Sequence, residues 1–204
     1  FKKLAVILLV ANLTSQTFSA TFTNKLTTPN IIVIYTDDQG YGDATCLNKD
    51  CKFQTPNIDR LAQEGVLFTD GHCSDTVCTP SRYGLLTGRY SWRTELKRGV
   101  FQAERPCLIP DQRMTVASFL QDNGYQTAMV GKWHLGMYKD EYLPRNRGFD
   151  STYGHLGGGI GYFDHALAGR LDWHRNGEVL YEDGYSTTLI ADEAIRIIEN
   201  KDSF

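Results

Sequence analysis

The sequence carries little net charge: 21 Lys and Arg residues against 24 Asp and Glu residues leave −3 over 204 residues, with His counted as neutral. This balance excludes a strongly basic nucleic-acid surface and a polybasic membrane anchor. Repeats and low-complexity tracts are also lacking, and 41% hydrophobic with 22% charged residues excludes disordered, collagen-like and coiled-coil classes. The apolar run at residues 4–11 is shorter than the roughly 20 residues that a membrane-spanning helix needs. We therefore expect a globular protein with no nucleic-acid partner and no stable membrane span.

The first 20 residues follow the order of a secretory signal. Lys2 and Lys3 precede the apolar run, and small or polar residues follow it up to Ala20. A buried N-terminal strand or helix is the alternative, but two lysines directly before the run favour export. Cleavage after Ser19 and cleavage after Ala20 both fit. We expect residues 1–20 to be a signal peptide and the mature protein to reach a periplasmic, secreted or lysosome-like compartment.

Cysteine is scarce and odd in number. The chain has five cysteines, and disulfides persist in exported proteins. An odd count leaves at least one of them unpaired within this chain or bonded to something outside it. A pair between Cys46 and Cys51 closes a short loop and is the simplest pairing. The others are Cys73, Cys78 and Cys107.

Strand-like and helix-like segments alternate along the chain, which predicts an α/β sheet covered on both faces. Apolar or β-branched runs predict strands at residues 30–35, 66–68 and 125–130. Caps and Gly or Pro residues predict helices that start at Thr55-Pro56, span residues 80–86, start at Thr115 and start near Tyr185. For residues 154–183 we predict loops and a hairpin. The helical side chains expected to pack inward are Ile58, Leu61, Ala62, Val116, Phe119, Leu120, Ile190, Ala194, Ile197 and Ile198.

Two adjacent carboxylates, Asp37 and Asp38, follow the first predicted strand. In open α/β sheets, ligands gather beyond the carboxyl ends of the strands. Adjacent carboxylates repel each other unless a positive charge lies between them, and a hard divalent cation with oxygen ligands provides it. The alternative is an Asp pair that only begins a loop.

A second group of residues surrounds Cys78. Because Pro80 suits the first turn of a helix, Cys78 is expected at or just before a helix N-terminus, where free N–H groups stabilise an anion. Arg82 is one helical turn further on and faces the same anion. The alternative is a buried structural cysteine beside a surface arginine.

These motifs resemble those of the sulfatase family. Cys78-Thr79-Pro80-Ser81-Arg82, with the continuation Leu-Leu-Thr-Gly, is similar to the sulfatase signature. The segments 124–134, 37–43 and 55–62 are similar to further family motifs in the same order. The resemblance runs from about residue 30 to the C-terminus and is greatest for the arylsulfatase B-type branch.

The resemblance implies the alkaline-phosphatase-like α/β fold with a mostly parallel sheet, incomplete at the C-terminus. Residues 21–204 would be the N-terminal portion of a sulfatase catalytic domain. Asp37, Asp38 and Cys78 would be ligands of Ca²⁺ or Mg²⁺, and a formylglycine-generating maturation enzyme would convert Cys78 to formylglycine. The hydrate of that aldehyde would attack the sulfur of a sulfate ester.

The resemblance also implies roles for three basic residues. Arg82 would hold the hydrate and sulfate oxygens, Lys132 would bind sulfate oxygens, and His134 would orient or deprotonate a hydrate hydroxyl. Lys132 and His134 are spaced i, i+2, so that in an extended backbone both point to one side. The expected substrate is an aryl or carbohydrate sulfate monoester, either as a small molecule or within a glycan.

The other four histidines are expected to be loop or core residues. His165 is the best of them for the wall of a substrate pocket, and three neighbouring aromatic rings could stack on an aryl or sugar ring, or pack internally. The histidines are His72, His155, His165 and His174, and the rings are those of Tyr162, Phe163 and Trp173.

Two other functions remain open from the sequence. A phosphatase or phosphonate monoester hydrolase of the same superfamily commonly has Ser or Thr at the position of Cys78. A non-catalytic scaffold that binds sulfated glycans would keep Cys78 unmodified. Family members also use an Asp, an Asn or Gln, a second Lys and a second His that follow the last residue of this chain, so we expect these 204 residues alone to be inactive.

Overall fold

A computed structural model describes residues 28–101 and 105–200 of the chain. The predicted signal peptide, residues 1–20, lies outside the described residues. The chain divides into two compact units, of which the first ends at His72 and the second begins at Cys73. None of the helices within the described ranges has the length and apolar content to cross a membrane.

The first unit contains a 3-10 helix, Tyr41–Asp43, and helix α1, Pro56–Glu64. As predicted, α1 begins after Thr55 with Pro at its first position and is capped by Gly65. The carboxylate of Asp59 anchors the preceding loop, because it accepts hydrogen bonds from the Thr45 hydroxyl (2.7 Å) and the Cys46 backbone N–H (2.9 Å). The Thr55 side chain makes no capping hydrogen bond to the helix, so Pro56 and Gly65 are the local signals that locate it.

The predicted strands at residues 30–35 and 66–68 are wrong. Ile31 forms an isolated bridge, and the remaining residues of both segments are irregular. A strand needs a partner, and none of the sheet pairings among the described residues includes these segments. Their apolar side chains are consequently exposed, up to 78% for Ile34 and 72% for Phe68. Two of the three side chains predicted to face inward from α1 are exposed too, Ile58 at 39% and Leu61 at 61%.

The second unit contains a four-stranded sheet in the order β1-β2-β5-β6. Its strands are β1 (Ala128–Lys132), β2 (Ser151–His155), β5 (His174–Arg175) and β6 (Glu178–Val179). β1 and β2 are parallel and the other pairs are antiparallel, so the sheet is mixed in the part of the chain described. β3 (Ala166–Leu167) and β4 (Arg170–Leu171) form a separate hairpin. The α/β class and the predicted hairpin between residues 154 and 183 are thus confirmed.

Three helices complete this unit: α2 (Cys78–Thr87), α3 (Val116–Asp122) and α4 (Ser186–Glu199). α2 ends at Gly88, whose φ of 65° is left-handed. Thr115 caps α3 through its side chain, which accepts from the Ser118 N–H at 3.0 Å. The predicted inward face of α3 is wrong, because Val116 and Phe119 are 43% and 50% exposed and Ala117 is the buried residue.

The core of the second unit is built from residues adjacent to the predicted site residues. Tyr83, Trp133 and Leu135 are at most 2% exposed, and each neighbours Arg82, Lys132 or His134 in the chain. Leu96, Phe101, Leu108, Ile109, Leu143 and Leu156 complete the cluster. All five cysteines are free, so the Cys46–Cys51 disulfide predicted as the simplest pairing is absent.

Candidate active site

Cys78 is the first residue of α2, as the motif predicts. Val77 before it is extended, and the Ser81 hydroxyl donates back to the Val77 carbonyl at 2.7 Å. The Thr79 hydroxyl accepts from the backbone N–H of Phe101 at 3.1 Å. These buried contacts fix the first turn of the helix, and Cys78 lies at the positive end of the helix dipole.

The imidazole of His134 lies against Cys78. Its Nδ1 is 3.0 Å from Cys78 Sγ, and its Nε2 is 3.2 Å from the backbone carbonyl oxygen of Phe101. A carbonyl only accepts hydrogen bonds, so Nε2 is the nitrogen that carries the proton in the neutral ring. Nδ1 then presents a lone pair to the side chain of Cys78, which is the geometry of a general base.

The backbone around His134 is fixed by the segment that follows β2. The Trp133 and His134 N–H groups donate to the carbonyls of His155 (2.9 Å) and Leu156 (3.0 Å). His134 has a φ of 54°, so our assumption of an extended backbone through this residue is wrong. A Cβ at Gly158 would lie 2.7 Å from Cε1 and Nε2 of His134, so a side chain there would have to displace the imidazole.

Arg82 and Lys132 meet at the end of β1. Arg82 Nη1 donates to the backbone carbonyl oxygen of Lys132 at 2.6 Å, which joins α2 to the sheet. The structure therefore brings together Cys78, Arg82, Lys132 and His134, four residues predicted from two separate motifs.

His155 also belongs to this neighbourhood, although the sequence predicts only a packing role for it. It is the cross-strand partner of Lys132 in the parallel pair β1/β2, and it is buried. Burial lowers the pKa of His155 to about 4; the charge of Asp172 acts in the opposite direction, and the charges of Lys132 and Arg82 lower it further. His155 is therefore neutral at neutral pH. Strand pairing is the signal that identifies it, and a single sequence does not contain that signal.

The substrate contact predicted for His165 requires correction. His165 is 1% exposed and stacks on Trp173 with ring centroids 4.7 Å apart, and its Nε2 lies 3.1 Å from the Gly184 carbonyl oxygen. Trp173 is fully buried. Both rings thus pack internally.

Three other aromatic rings form an exposed group. Tyr185 lies between Tyr162 and Phe163, with centroid distances of 5.3 Å and 5.4 Å. Tyr162 is 60% exposed and Phe163 is 74% exposed.

Asp37 and Asp38 lie in the first unit, directly after the exposed apolar segment, and both are exposed. No group of three or more His, Cys, Asp or Glu side chains in the described ranges is arranged to hold a metal ion. The two carboxylates have the donor type that Ca²⁺ and Mg²⁺ prefer, but Ca²⁺ takes about six to eight oxygens. The described residues alone therefore do not fit a complete cation site.

Comparison with known proteins agrees with these motifs. A family model described as Sulfatase matches residues 29–204. Arylsulfatase J of Mus musculus is 34% identical over 183 residues, which cover 85% of this chain and 30% of that protein. N-acetylgalactosamine-6-O-sulfatase of Bacteroides thetaiotaomicron is 47% identical over 109 residues, which cover 53% of this chain and 21% of that protein.

A solved structure shares the fold. The crystal structure of Ps i-CgsB in complex with k-i-k-neocarrahexaose superposes with a TM-score of 0.72 at 30% identity, over 81% of this chain and 40% of that one. The chain thus spans less than half the length of these three relatives. The predicted alkaline-phosphatase-like fold is confirmed by such neighbours. Because the family model matches nearly all of the described residues, the chain belongs to the sulfatase family.

Proposed function

We propose that the protein hydrolyses sulfate monoesters and that Cys78, Arg82, Lys132 and His134 carry the reaction. The observation that carries this proposal is the 3.0 Å distance between His134 Nδ1 and Cys78 Sγ, at the N-terminus of a helix. A base aimed at the nucleophile position, with the cationic residues Arg82 and Lys132 one helical turn and two residues away in the chain, suits attack on an anionic ester.

Each residue of the group has a distinct task. Formylglycine made from Cys78 by a maturation enzyme supplies, as its hydrate, a hydroxyl nucleophile at this position. His134 accepts a proton at Nδ1, while the Phe101 carbonyl holds the Nε2 proton and keeps the ring in that tautomer. Lys132, Arg82 and the N-terminus of α2 bind the sulfate oxygens. His155 stays neutral and adds no further charge beside Lys132.

We further propose Asp37 and Asp38 as ligands of Ca²⁺ or Mg²⁺. Their oxygen donors suit a hard divalent cation, and a metal site would balance two adjacent carboxylates. Because two carboxylates do not complete the coordination shell, no step of the reaction is derived from the metal here. We also propose that the N-terminal signal, residues 1–20, directs export of the protein.

For the substrate we propose a carbohydrate sulfate, with aryl sulfates as accessible model substrates. One relative is named for N-acetylgalactosamine-6-O-sulfate hydrolysis, and another is solved with a neocarrahexaose. The exposed rings of Tyr162, Phe163 and Tyr185 supply apolar faces on which a sugar ring can stack.

The test is mass spectrometry of the Cys78 peptide from protein expressed in full in its native host, followed by kinetics. We expect the thiol to be replaced by an aldehyde, with loss of sulfur and gain of oxygen, and kcat/KM to favour nitrophenyl sulfate over nitrophenyl phosphate. Cys78→Ala is the control and should abolish turnover. Preference for the phosphate would establish the phosphatase alternative. An unmodified thiol, with binding of sulfated glycan but no turnover, would establish the binding scaffold.

A further inference from the structure

We propose that Asp172 is a positioning residue for His134, acting through the backbone of Leu156 and Gly157. This inference rests on the proposed function, because it assigns a supporting residue to the same site. Asp172 precedes β5, whereas His134 follows β1, and 38 positions of the printed sequence separate them.

The carboxylate of Asp172 is 2% exposed and fully engaged. Its Oδ1 accepts from the Leu156 N–H and from His174 Nε2, each at 3.0 Å, and its Oδ2 accepts from the Gly157 N–H at 2.7 Å. Burial raises the pKa of Asp172, but the hydrogen bonds from His174, Leu156 and Gly157 outweigh burial and lower it. The ionised carboxylate therefore clamps two consecutive peptide groups.

The clamped segment contacts His134 in two places. The Leu156 carbonyl accepts from the His134 N–H at 3.0 Å, so Leu156 is bonded to Asp172 through its N–H and to His134 through its carbonyl. The next residue, Gly158, lies against the imidazole of His134: a Cβ at Gly158 would be 2.7 Å from Cε1 and Nε2 of that ring. A shift of this segment therefore moves both the backbone and the ring of His134.

His134 needs such support. Its φ of 54° lies in the left-handed region, which is unfavourable for a residue with a Cβ unless the surroundings impose it. Its ring must also keep Nδ1 on Cys78 while Nε2 stays on the Phe101 carbonyl. Asp172 is the buried charge that holds the segment imposing this geometry.

The test compares Asp172→Asn with wild type in the protein expressed in full. The substitution turns one acceptor oxygen into an NH₂ donor, so one of the two backbone hydrogen bonds is lost. We expect kcat for nitrophenyl sulfate to fall about 100-fold, the cost of a displacement of about 1 Å of a catalytic group, with KM unchanged. Hydrogen exchange of a peptide spanning residues 155–158 should become faster in the variant.

Glu193→Gln is the matched control, since Glu193 is another buried carboxylate of this unit, bonded to Arg175 and Arg196. It should lower stability and leave kcat unchanged. Equal loss of kcat in both variants would show general destabilisation and overturn the inference. Wild-type kcat in Asp172→Asn would also overturn it, with or without faster exchange.

If Asp172→Asn does not fold, Asp172→Glu tests the same contact, because the longer side chain keeps the charge but displaces the carboxylate from the Leu156 and Gly157 N–H groups. A fall in kcat with unchanged KM supports the inference, and wild-type kcat overturns it. Absence of sulfate-ester turnover in wild-type protein that carries the aldehyde would instead contradict the proposed function. The exchange measurement would still report on the Asp172 clamp in that case.

Discussion

Protonation of the buried His155 should contribute to the loss of stability of this protein in mild acid. Its side chain is buried, burial lowers its pKa from 6.5 to about 4, and the cations Lys132 and Arg82 add to that effect, while Asp172 partly offsets it. The unfolded chain binds a proton near the ordinary pKa of His, but the folded protein does not. The stability that depends on a neutral His155 is therefore complete above about pH 6.5 and is lost as pH falls from there to about pH 4.

The size of the effect follows from the same two values. One proton taken up on unfolding gives a slope of about 1.4 kcal/mol per pH unit. Between an ordinary pKa of 6.5 and one of about 4, the loss accumulates to about 3 kcal/mol. No reduction for solvent screening applies, because His155 is only 7% exposed.

The perturbation is His155→Gln, which removes the titration and keeps a polar side chain of similar length. Urea unfolding of wild type and variant at several pH values between 7 and 4 measures the free energy of unfolding of each. We expect a shallower decline in the variant, by up to about 1.4 kcal/mol per pH unit. His72→Gln is the control, because it removes an exposed histidine on the surface beside Asp70. Parallel pH profiles for wild type and His155→Gln would refute the reasoning.

Two further predictions concern charge and metal. Burial raises the pKa of Glu193, but the hydrogen bonds from Arg196 and Arg175 outweigh it and lower the pKa to about 2, so the stability from this carboxylate is present above about pH 4.5 and lost towards pH 2. Glu193→Gln should lower the free energy of unfolding by about 2 kcal/mol at pH 7, which is less than for a fully buried ion pair because both arginines are partly exposed. Urea titrations of wild type and variant should show this difference shrinking as the pH falls. Treatment with EDTA should abolish sulfate-ester turnover and added Ca²⁺ or Mg²⁺ should restore it; full turnover by protein that contains no metal would contradict the role proposed for Asp37 and Asp38.

Helices are predictable here because their signals are local. Thr55-Pro56 and the side-chain cap of Thr115 each act within one turn, and α1 and α3 begin where these residues predict. The segment at residues 30–35 has equally clear β-branched composition but forms no strand, because a strand also requires a partner. Local residue signals therefore predict the start of a helix more reliably than β-branched composition predicts a strand.

The same distinction separates the site residues that the sequence predicts from those it misses. Cys78 and Arg82 share one motif, and their relation within a single helical turn can be worked out from spacing. His155 becomes part of the site only because β2 pairs with β1 in a register that places it opposite Lys132. Asp172 is connected to the site through hydrogen bonds to the backbone N–H groups of Leu156 and Gly157. Any residue type can supply a backbone N–H, so the sequence contains no pattern that predicts these bonds.

The parallel pairing of β1 and β2 explains why these residues converge. Parallel strands end at the same edge of a sheet, so Lys132 at the end of β1 and His155 at the end of β2 lie side by side. The segments that leave the two strands stay together, because the N–H groups of Trp133 and His134 bond to the carbonyls of His155 and Leu156. The backbone hydrogen bonds between the two segments of the pair thus continue past the strands and position the imidazole of His134 at the N-terminus of α2. The position of the base relative to Cys78 is consequently a property of this pairing, and a substitution that shifts its register should impair turnover even where every motif residue is kept.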